Sequence, residues 1–125
     1  MGQNQQVVEE FIAAWNKNDV DQIMSFFAPD AIYHNIPVEP VSGTEAIRQV
    51  IEGFAGSATA VEWIVREIAE SPSGTVLTER LDRFEIGGKW IELPVMGSFE
   101  LSGGKIAHWR DYFEMKQFTD QLPTG

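Results

Sequence analysis

The sequence predicts an α+β domain in which three to four helices pack against a strongly curved, mixed and mostly antiparallel sheet. Two observations predict this class. Apolar residues recur at helical spacing as far as Phe54, and from residue 59 onward they alternate along segments separated by glycine-containing turns. The 125 residues suffice for one core, and we expect a single domain over residues 1–125. Helices packed across the mouth of the sheet would enclose a cone-shaped pocket.

The first two helices are predicted from apolar stripes and from one capping pattern. The first helix carries a single apolar stripe made of Val7, Val8, Phe11, Ile12 and Trp15. Asp19, with Gln22 three residues later, resembles a capping box and predicts the start of a second, short helix. That helix carries Ile23, Phe26 and Phe27, and residues 28–30 are expected to end it.

An early strand and a third helix follow. Residues 31–37 form a short strand that Pro37 stops, and residues 38–43 are predicted as a loop. Thr44 is the expected cap of the third helix. The buried side of this helix consists of Ile47, Val50, Ile51 and Phe54.

The second half of the chain predicts a four-stranded antiparallel meander with the early strand on its edge. Its strands are residues 59–70, 75–86, 89–101 and 105–115. The intervening turns contain the sequences SPSG, GG and SGG. Residues 116–122 could close the fold as a further short helix.

Composition excludes several functional classes. The net charge is −10 and the nine Lys and Arg residues are scattered, which argues against binding to nucleic acid or to an anionic membrane and favours a neutral substrate. The absence of cysteine excludes disulfides, thiolate nucleophiles and cysteine metal sites. No apolar run approaches the roughly 20 residues that span a bilayer, and the N-terminus does not resemble a signal peptide. We therefore expect a cytoplasmic protein.

One carboxylate interrupts an apolar stripe on the last predicted strand. Alternate positions there are Trp109, Asp111, Phe113 and Met115. On the segment 75–86 one alternation contains Arg80 and Asp82, which stand about 6.6–6.8 Å apart if they share the pocket face. The pattern does not decide which face of that strand is buried. If it is this one, the arginine fork can bind Asp82 and a carboxylate on a neighbouring strand, and Asp111 is the candidate.

Two carboxyl groups around one guanidinium would form an acid and base pair. Burial and mutual repulsion are expected to raise the pKa of one carboxyl group, so that the pair holds one proton near pH 7. Such a pair supplies a general acid and a general base without a metal or a cofactor. The same residues also fit a structural ion-pair network that holds the sheet together, and both interpretations stay open.

Two polar residues on the early strand could position a water molecule. Tyr33 and Asn35 are two residues apart and therefore share a face of the strand. A phenol and an amide side by side can orient one water, although Tyr and Asn near a strand end are also common turn residues. With a carboxylate across the pocket, they would hold a nucleophilic water at three points.

The segments YHN, TERLDRF and IAHWRDYFEMKQF resemble the motifs of the limonene-1,2-epoxide hydrolase family, in order and with matching gaps through nearly the whole chain. The R-x-D and W-R-D-Y-F elements are the specific parts of the resemblance. It implies the cone-shaped fold shared with nuclear transport factor 2 and ketosteroid isomerase, and a homodimer formed through the sheet. It also implies opening of an epoxide in one step, without a covalent enzyme ester.

The resemblance implies a role for each polar residue. Asp111 would deprotonate the attacking water, which Tyr33 and Asn35 help to hold. Asp82 would donate a proton to the epoxide oxygen, and Arg80 would bridge the two carboxylates. The expected substrate is a small neutral apolar epoxide, cyclic or terpenoid-like, and the product is a vicinal diol.

The pocket wall is less well defined by the resemblance. The apolar candidates that could contact the substrate are Phe84, Leu93, Val95, Phe113 and Phe118. Compared with the limonene enzyme, the chain is expected to begin later and to lack an extension that covers the pocket there. The physiological epoxide, and the stereochemistry and regiochemistry of its opening, are not predicted.

Two other functional classes remain open. One is a ketosteroid-isomerase-like or polyketide-cyclase-like enzyme, although an isomerase of this type needs a tyrosine beside a protonated aspartate, and the only tyrosines are Tyr33 and Tyr112. The other is a non-catalytic module that binds a small lipid. His34 and His108 fall on the faces opposite the candidate site and have no metal-ligand spacing. The outward stripe that could form a subunit interface consists of Trp90, Glu92, Met96 and Ser98.

Overall fold

A computed structural model of the chain describes residues 2–122 and contains four helices and one six-stranded sheet. The helices are α1 Gln3–Asn16, α2 Val20–Met24, α3 Thr44–Ala55 and α4 Met115–Thr119. The strands are β1 Phe27–Asn35, β2 Val41–Ser42, β3 Ala60–Glu70, β4 Val76–Ile86, β5 Lys89–Ser102 and β6 Lys105–Tyr112. The prediction of an α+β fold with a curved, mixed sheet is confirmed.

The sheet follows the predicted meander. Its strand order is β2-β1-β6-β5-β4-β3, and the pairing is antiparallel except between β1 and β6. Gly87 and Gly88 join β4 to β5, and Gly103 and Gly104 join β5 to β6, all four with positive φ. Two successive residues with positive φ match the right-handed twist of the flanking strands, and only glycine adopts this conformation without strain. These two turns set the register that places the functional side chains.

The boundaries of the first elements differ from the prediction. The helix that Asp19 caps ends at Met24, and Phe27 begins β1 rather than ending this helix. Residues 28–30 lie inside β1, where an irregular register between Phe27 and Ile32 leaves room for a proline. The cap itself is confirmed, because the Asp19 carboxylate accepts a hydrogen bond from the Gln22 amide.

Three further expectations are corrected. Thr44 is the first residue of α3, and Gly43, at a φ of 87°, precedes it as the cap. The predicted loop contains the two-residue strand β2, which forms the sheet edge beyond β1. The last strand ends at Tyr112, so Phe113 lies beyond it and Met115 begins α4.

The core lies between α1 and the inner face of the sheet. Phe11 of α1 makes edge-to-face contacts with Phe27, Phe99 and Trp109, and Trp15 stacks on Trp63 at 4.6 Å. The end of α1 is fixed to β3 by a hydrogen bond from the Trp63 amide to the Asn16 side-chain oxygen. Large aromatic rings therefore line the pocket that the sheet encloses. Within residues 2–122, no helix combines the length and apolar character needed to cross a membrane.

Candidate active site

The register of four strands assembles the site on the inner face of the sheet. Asn35 of β1 pairs with Asp111 of β6, Asp111 pairs with Gly97 of β5, and Gly97 pairs with Thr78 of β4. The alternation of β4 that was ambiguous in sequence is settled by its neighbours, because Arg80 and Asp82 are buried on this same face. Asn35, Asp111, Gly97 and Thr78 thus lie in one row across the sheet.

The guanidinium of Arg80 is the centre of the site and is fully buried. Its Nε and Nη2 donate to the two oxygens of Asp82 at 2.9 and 2.8 Å. Its Nη1 and Nη2 donate to the two oxygens of Asp111 at 3.3 and 2.9 Å. Nη1 also donates to the Thr78 hydroxyl at 3.1 Å. These bonds use all of the donors that a guanidinium carries.

Gly97 creates the space through which Arg80 reaches its second partner. Arg80 lies on β4 and Asp111 on β6, so β5 separates them and the backbones are about 10 Å apart. A Cβ at position 97 would lie 2.5 Å from the Arg80 Nη1, 2.8 Å from the Asp111 Oδ1 and 2.8 Å from the Thr78 Oγ1. The bridging geometry therefore requires a glycine at this position.

Aromatic rings surround the charged cluster and exclude water from it. The Arg80 guanidinium lies over the Trp63 ring at 4.3 Å, which is a cation–π contact. The Trp109 indole donates to Asp111 Oδ1 at 2.7 Å, and its ring stacks on Tyr33 at 4.1 Å. Asp111 therefore accepts three hydrogen bonds from two side chains while remaining only 4% exposed.

The environment alters the pKa values of three groups. Burial raises the pKa of Asp82 to about 6, with a contribution from the charge of Asp111, and Arg80 partly opposes this rise. Burial lowers the pKa of Arg80, but the two carboxylates outweigh it and hold that pKa above the ordinary value. Burial and the nearby charge of Asp111 raise the pKa of Tyr33 well above its usual range. Arg80 and Tyr33 therefore keep their protons at neutral pH.

A small cavity lies at the centre of these groups, and we call it the inner cavity. The space in it that is open to the centre of a water molecule is about 20 Å³. A volume of roughly 10–15 Å³ by this measure holds one water. The inner cavity is lined by Trp15, Tyr33, Asn35, Phe54, Trp63, Asp82, Phe84, Leu93, Val95, Asp111 and Phe113. Both carboxyl groups, the phenol and the amide therefore line a space that holds about one water molecule.

The structure therefore brings together most of the residues that the sequence singles out. Of the five apolar candidates, Phe118 lies outside the inner cavity and packs against Phe54 with ring centroids 5.7 Å apart. The sequence did not indicate that Trp15, Phe54 and Trp63 form part of the wall. Gly97 was also missed, although a glycine inside a strand is itself a signal of close approach by a neighbouring group.

Among the residues that the structure describes, no group of three or more His, Asp or Glu side chains could hold a metal ion. His34 and His108 alternate with the site residues along β1 and β6 and line no part of the inner cavity. The chemistry available at the site is therefore that of two carboxyl groups, one phenol, one amide and one guanidinium.

Comparison with known proteins relates the whole chain to one family. The model of the limonene-1,2-epoxide hydrolase catalytic domain matches residues 2–124. Epoxide hydrolase EphG of Mycobacterium tuberculosis is 30% identical over 121 residues, which are 94% of this chain and 78% of EphG. An M. tuberculosis LEH-like epoxide hydrolase of known structure is 27% identical with a TM-score of 0.83, over 98% of this chain and 90% of that one.

A more distant structure shares the fold alone. It is an NTF2-like protein from Cytophaga hutchinsonii, 18% identical with a TM-score of 0.73, and the match covers 90% of this chain and 91% of that one. The cone-shaped architecture thus extends well beyond relatives of similar sequence.

The geometry around Gly97 generates a stability prediction. Gly97→Ala is expected to lower the free energy of unfolding by about 1–3 kcal/mol, because the methyl group would displace the Arg80 guanidinium from its partners. Urea unfolding measures this effect. Gly53→Ala is the matched control, since a Cβ there meets nothing within 4 Å, and it should leave stability unchanged or slightly higher. A Gly97→Ala protein as stable as the wild type would contradict the inferred role of Gly97.

Proposed function

The chain belongs to the limonene-1,2-epoxide hydrolase family, and on this basis we propose that it adds water to a small, neutral, apolar epoxide in one step to give a vicinal diol. One observation carries the proposal. Arg80 holds two carboxyl groups, Asp82 and Asp111, against a small, mostly apolar cavity with room for a water molecule. An acid and a base in one protected site are the groups that such a reaction needs.

Asp111 is the proposed general base. Its carboxylate lies at the inner cavity beside Asn35, its partner in the strand register, and Tyr33 lines the same cavity. A water held by the phenol, the amide and the carboxylate presents one hydrogen to Asp111 and its oxygen lone pair to the substrate. Because bulk water is excluded, the carboxylate acts on this one molecule.

Asp82 is the proposed general acid. Its pKa of about 6 leaves roughly one molecule in ten protonated at pH 7, far more than an ordinary aspartate. The acid gives its proton to the epoxide oxygen as the water attacks a ring carbon and the carbon–oxygen bond breaks. Asp111 has then gained a proton that Asp82 has lost, and one proton transfer between the two groups restores the starting state.

Arg80 is the proposed bridge between the two carboxyl groups. It touches both oxygens of each, so it fixes the distance between acid and base and stays positively charged throughout. The strain of the three-membered ring drives the reaction, and the acid and base together suffice for ring opening, so the proposed mechanism uses no cofactor. A lysine in this position would neutralise charge but would not orient both carboxyl groups.

We also propose that the protein forms a homodimer through the outer face of the sheet. That face exposes several large apolar side chains, namely Ile64, Leu77, Trp90, Met96 and Tyr112. Large apolar side chains exposed on one face of a sheet are typical of protein interfaces. Sedimentation equilibrium at micromolar concentration tests the proposal, and a monomer would refute it.

Isotope labelling tests the reaction itself. In a single turnover in ¹⁸O-water with a cyclic terpene epoxide, we expect one labelled oxygen in the diol, because water attacks carbon directly. A covalent ester would instead deliver an unlabelled carboxylate oxygen to the diol and leave the label in the aspartate. Mass spectrometry of the diol and of the protein distinguishes the two. An absence of turnover over a panel of epoxides would favour a binding module.

Substitution of the site residues tests the proposed roles. Asp111→Asn and Asp82→Asn should each lower kcat by about 10²–10⁴-fold, the usual contribution of a general acid or base. Arg80→Lys should be similarly impaired, because an ammonium cannot bridge both carboxyl groups. Tyr33→Phe should be affected less, since the amide and the carboxylate still hold the water.

Asp30→Asn is the matched control for these variants, because Asp30 is an exposed aspartate of β1 and should give wild-type rates. Circular dichroism checks that each variant is folded. Wild-type activity in Asp111→Asn would contradict the assignment of the base.

The pH dependence of kcat/KM follows from the raised pKa of Asp82. The acid must carry its proton, so kcat/KM is expected to fall from pH 6 upward and to approach a tenfold loss per pH unit above about pH 7. Steady-state rates between pH 5 and pH 9 measure this, after subtraction of spontaneous hydrolysis. A value of kcat/KM that stays level or rises between pH 6 and pH 8 would be incompatible with this assignment.

A further inference from the structure

A second, larger cavity adjoins the inner cavity, and we call it the outer cavity. Its volume is about 560 Å³, against about 20 Å³ for the inner one. It lies between α3 and the segment that contains α4, and it is lined by Val50, Gly53, Phe54, Ser57, Ile86, Phe118 and Leu122. Binding sites for small molecules commonly have volumes in this range.

Phe54 is the wall between the two cavities and lines both of them. Its ring stacks on Phe84 of the inner cavity at 5.9 Å and meets Phe118 of the outer cavity at 5.7 Å. Phe54 is only partly buried, whereas every other residue of the inner wall except Phe113 is buried. The side chain of Phe54 is therefore among the least tightly packed in the wall of the inner cavity.

The inner cavity is too small for substrate as it stands. A space for about one water cannot also hold an epoxide ring, so part of the wall must move when substrate enters. The carboxyl groups and Trp63 are held by hydrogen bonds, stacking or a cation–π contact inside the sheet. Rotation of the Phe54 side chain, which lines both cavities, would join them without disturbing that cluster.

The lining of the outer cavity defines what it can bind. None of the described residues that line it is charged, and the hydroxyl of Ser57 already donates to the Gly53 carbonyl at 2.9 Å. The remaining side chains are aliphatic or aromatic. Such a surface binds hydrocarbon and disfavours a charged or strongly polar group, whose desolvation would go uncompensated.

We propose that the outer cavity binds an extended apolar substituent of the epoxide substrate, and that Phe54 turns aside to admit the epoxide ring to Asp82 and Asp111. This inference rests on the proposed epoxide hydrolysis and specifies the substrate class further. The substrate is an epoxide at or near the end of a hydrocarbon chain or ring system that fills the outer cavity. The binding energy of the chain then offsets the cost of moving Phe54.

Filling the outer cavity tests the proposal. Gly53 is in α3, and a Cβ there meets open space, so Gly53→Leu adds a side chain to the cavity without a backbone clash. The two substrates are 1,2-epoxydecane and 1,2-epoxybutane, which differ only in chain length. Gly53→Leu should lower kcat/KM for the long epoxide at least tenfold and change that for the short one less than twofold. Gln49→Leu, on the exposed part of the same helix, is the matched control and should change neither.

The rates with the two epoxides separate the role of the outer cavity from the proposed reaction. Turnover of both epoxides by the wild type, with the same effect of Gly53→Leu on each, would overturn the outer cavity as a substrate site and leave the proposed reaction standing. If the wild type turns over neither epoxide, the proposed reaction is overturned.

Phe54→Trp tests the movement of Phe54 separately. It should lower kcat/KM for both substrates about tenfold, and unchanged values would refute a moving Phe54.

Discussion

The side chain of Arg80 crosses β5 to bind carboxylates on either side of it, and the rest of the site depends on this crossing. Its length matches the distance from β4 to β6 only because Gly97 leaves the intervening position empty. The two-residue glycine turns set the register that places Gly97 between Thr78 and Asp111. A shift of one residue in either hairpin would turn these side chains to the other face of the sheet. The chemistry therefore depends on the turns as much as on the charged residues.

Burial of one arginine with two carboxyl groups does little for stability by itself. Removing three charged groups from water costs several kcal/mol each, and a well-packed apolar cluster in their place is often as stable or more so. The cluster here has every guanidinium donor satisfied and is surrounded by Trp63 and Trp109, so it is tolerated. Within this cluster, burial raises the pKa of Asp82 to about 6. A carboxyl group with a raised pKa, held beside a second carboxylate at a cavity, supports the proposed catalytic role over that of a structural brace.

The sequence predicted the members of the cluster because period-two alternation is a strong signal. Asp111 breaks an apolar row, whereas Arg80 and Asp82 share one face of a strand whose alternation is ambiguous, and their place follows only once the strands are paired. Boundaries were less accurate. Phe27 was assigned to a helix because an apolar residue next to Phe26 fits the end of a helix and the start of a strand equally well. The roles of Gly97 and Trp63 are not predicted, because they depend on which residues face them across the sheet. The sequence of a single strand does not specify those neighbours.

Gly97 shows how the chemistry of a cone-shaped fold can depend on a single residue. The NTF2-like protein from C. hutchinsonii shares the architecture at 18% identity, which shows a common fold only. In this chain a side chain at position 97 would occupy the space of the guanidinium and separate Asp82 from Asp111. The same helices and strands would then enclose a pocket without a coupled acid and base. The fold supplies a dry cavity, and what that cavity can do is decided by a few residues, among them one with no side chain.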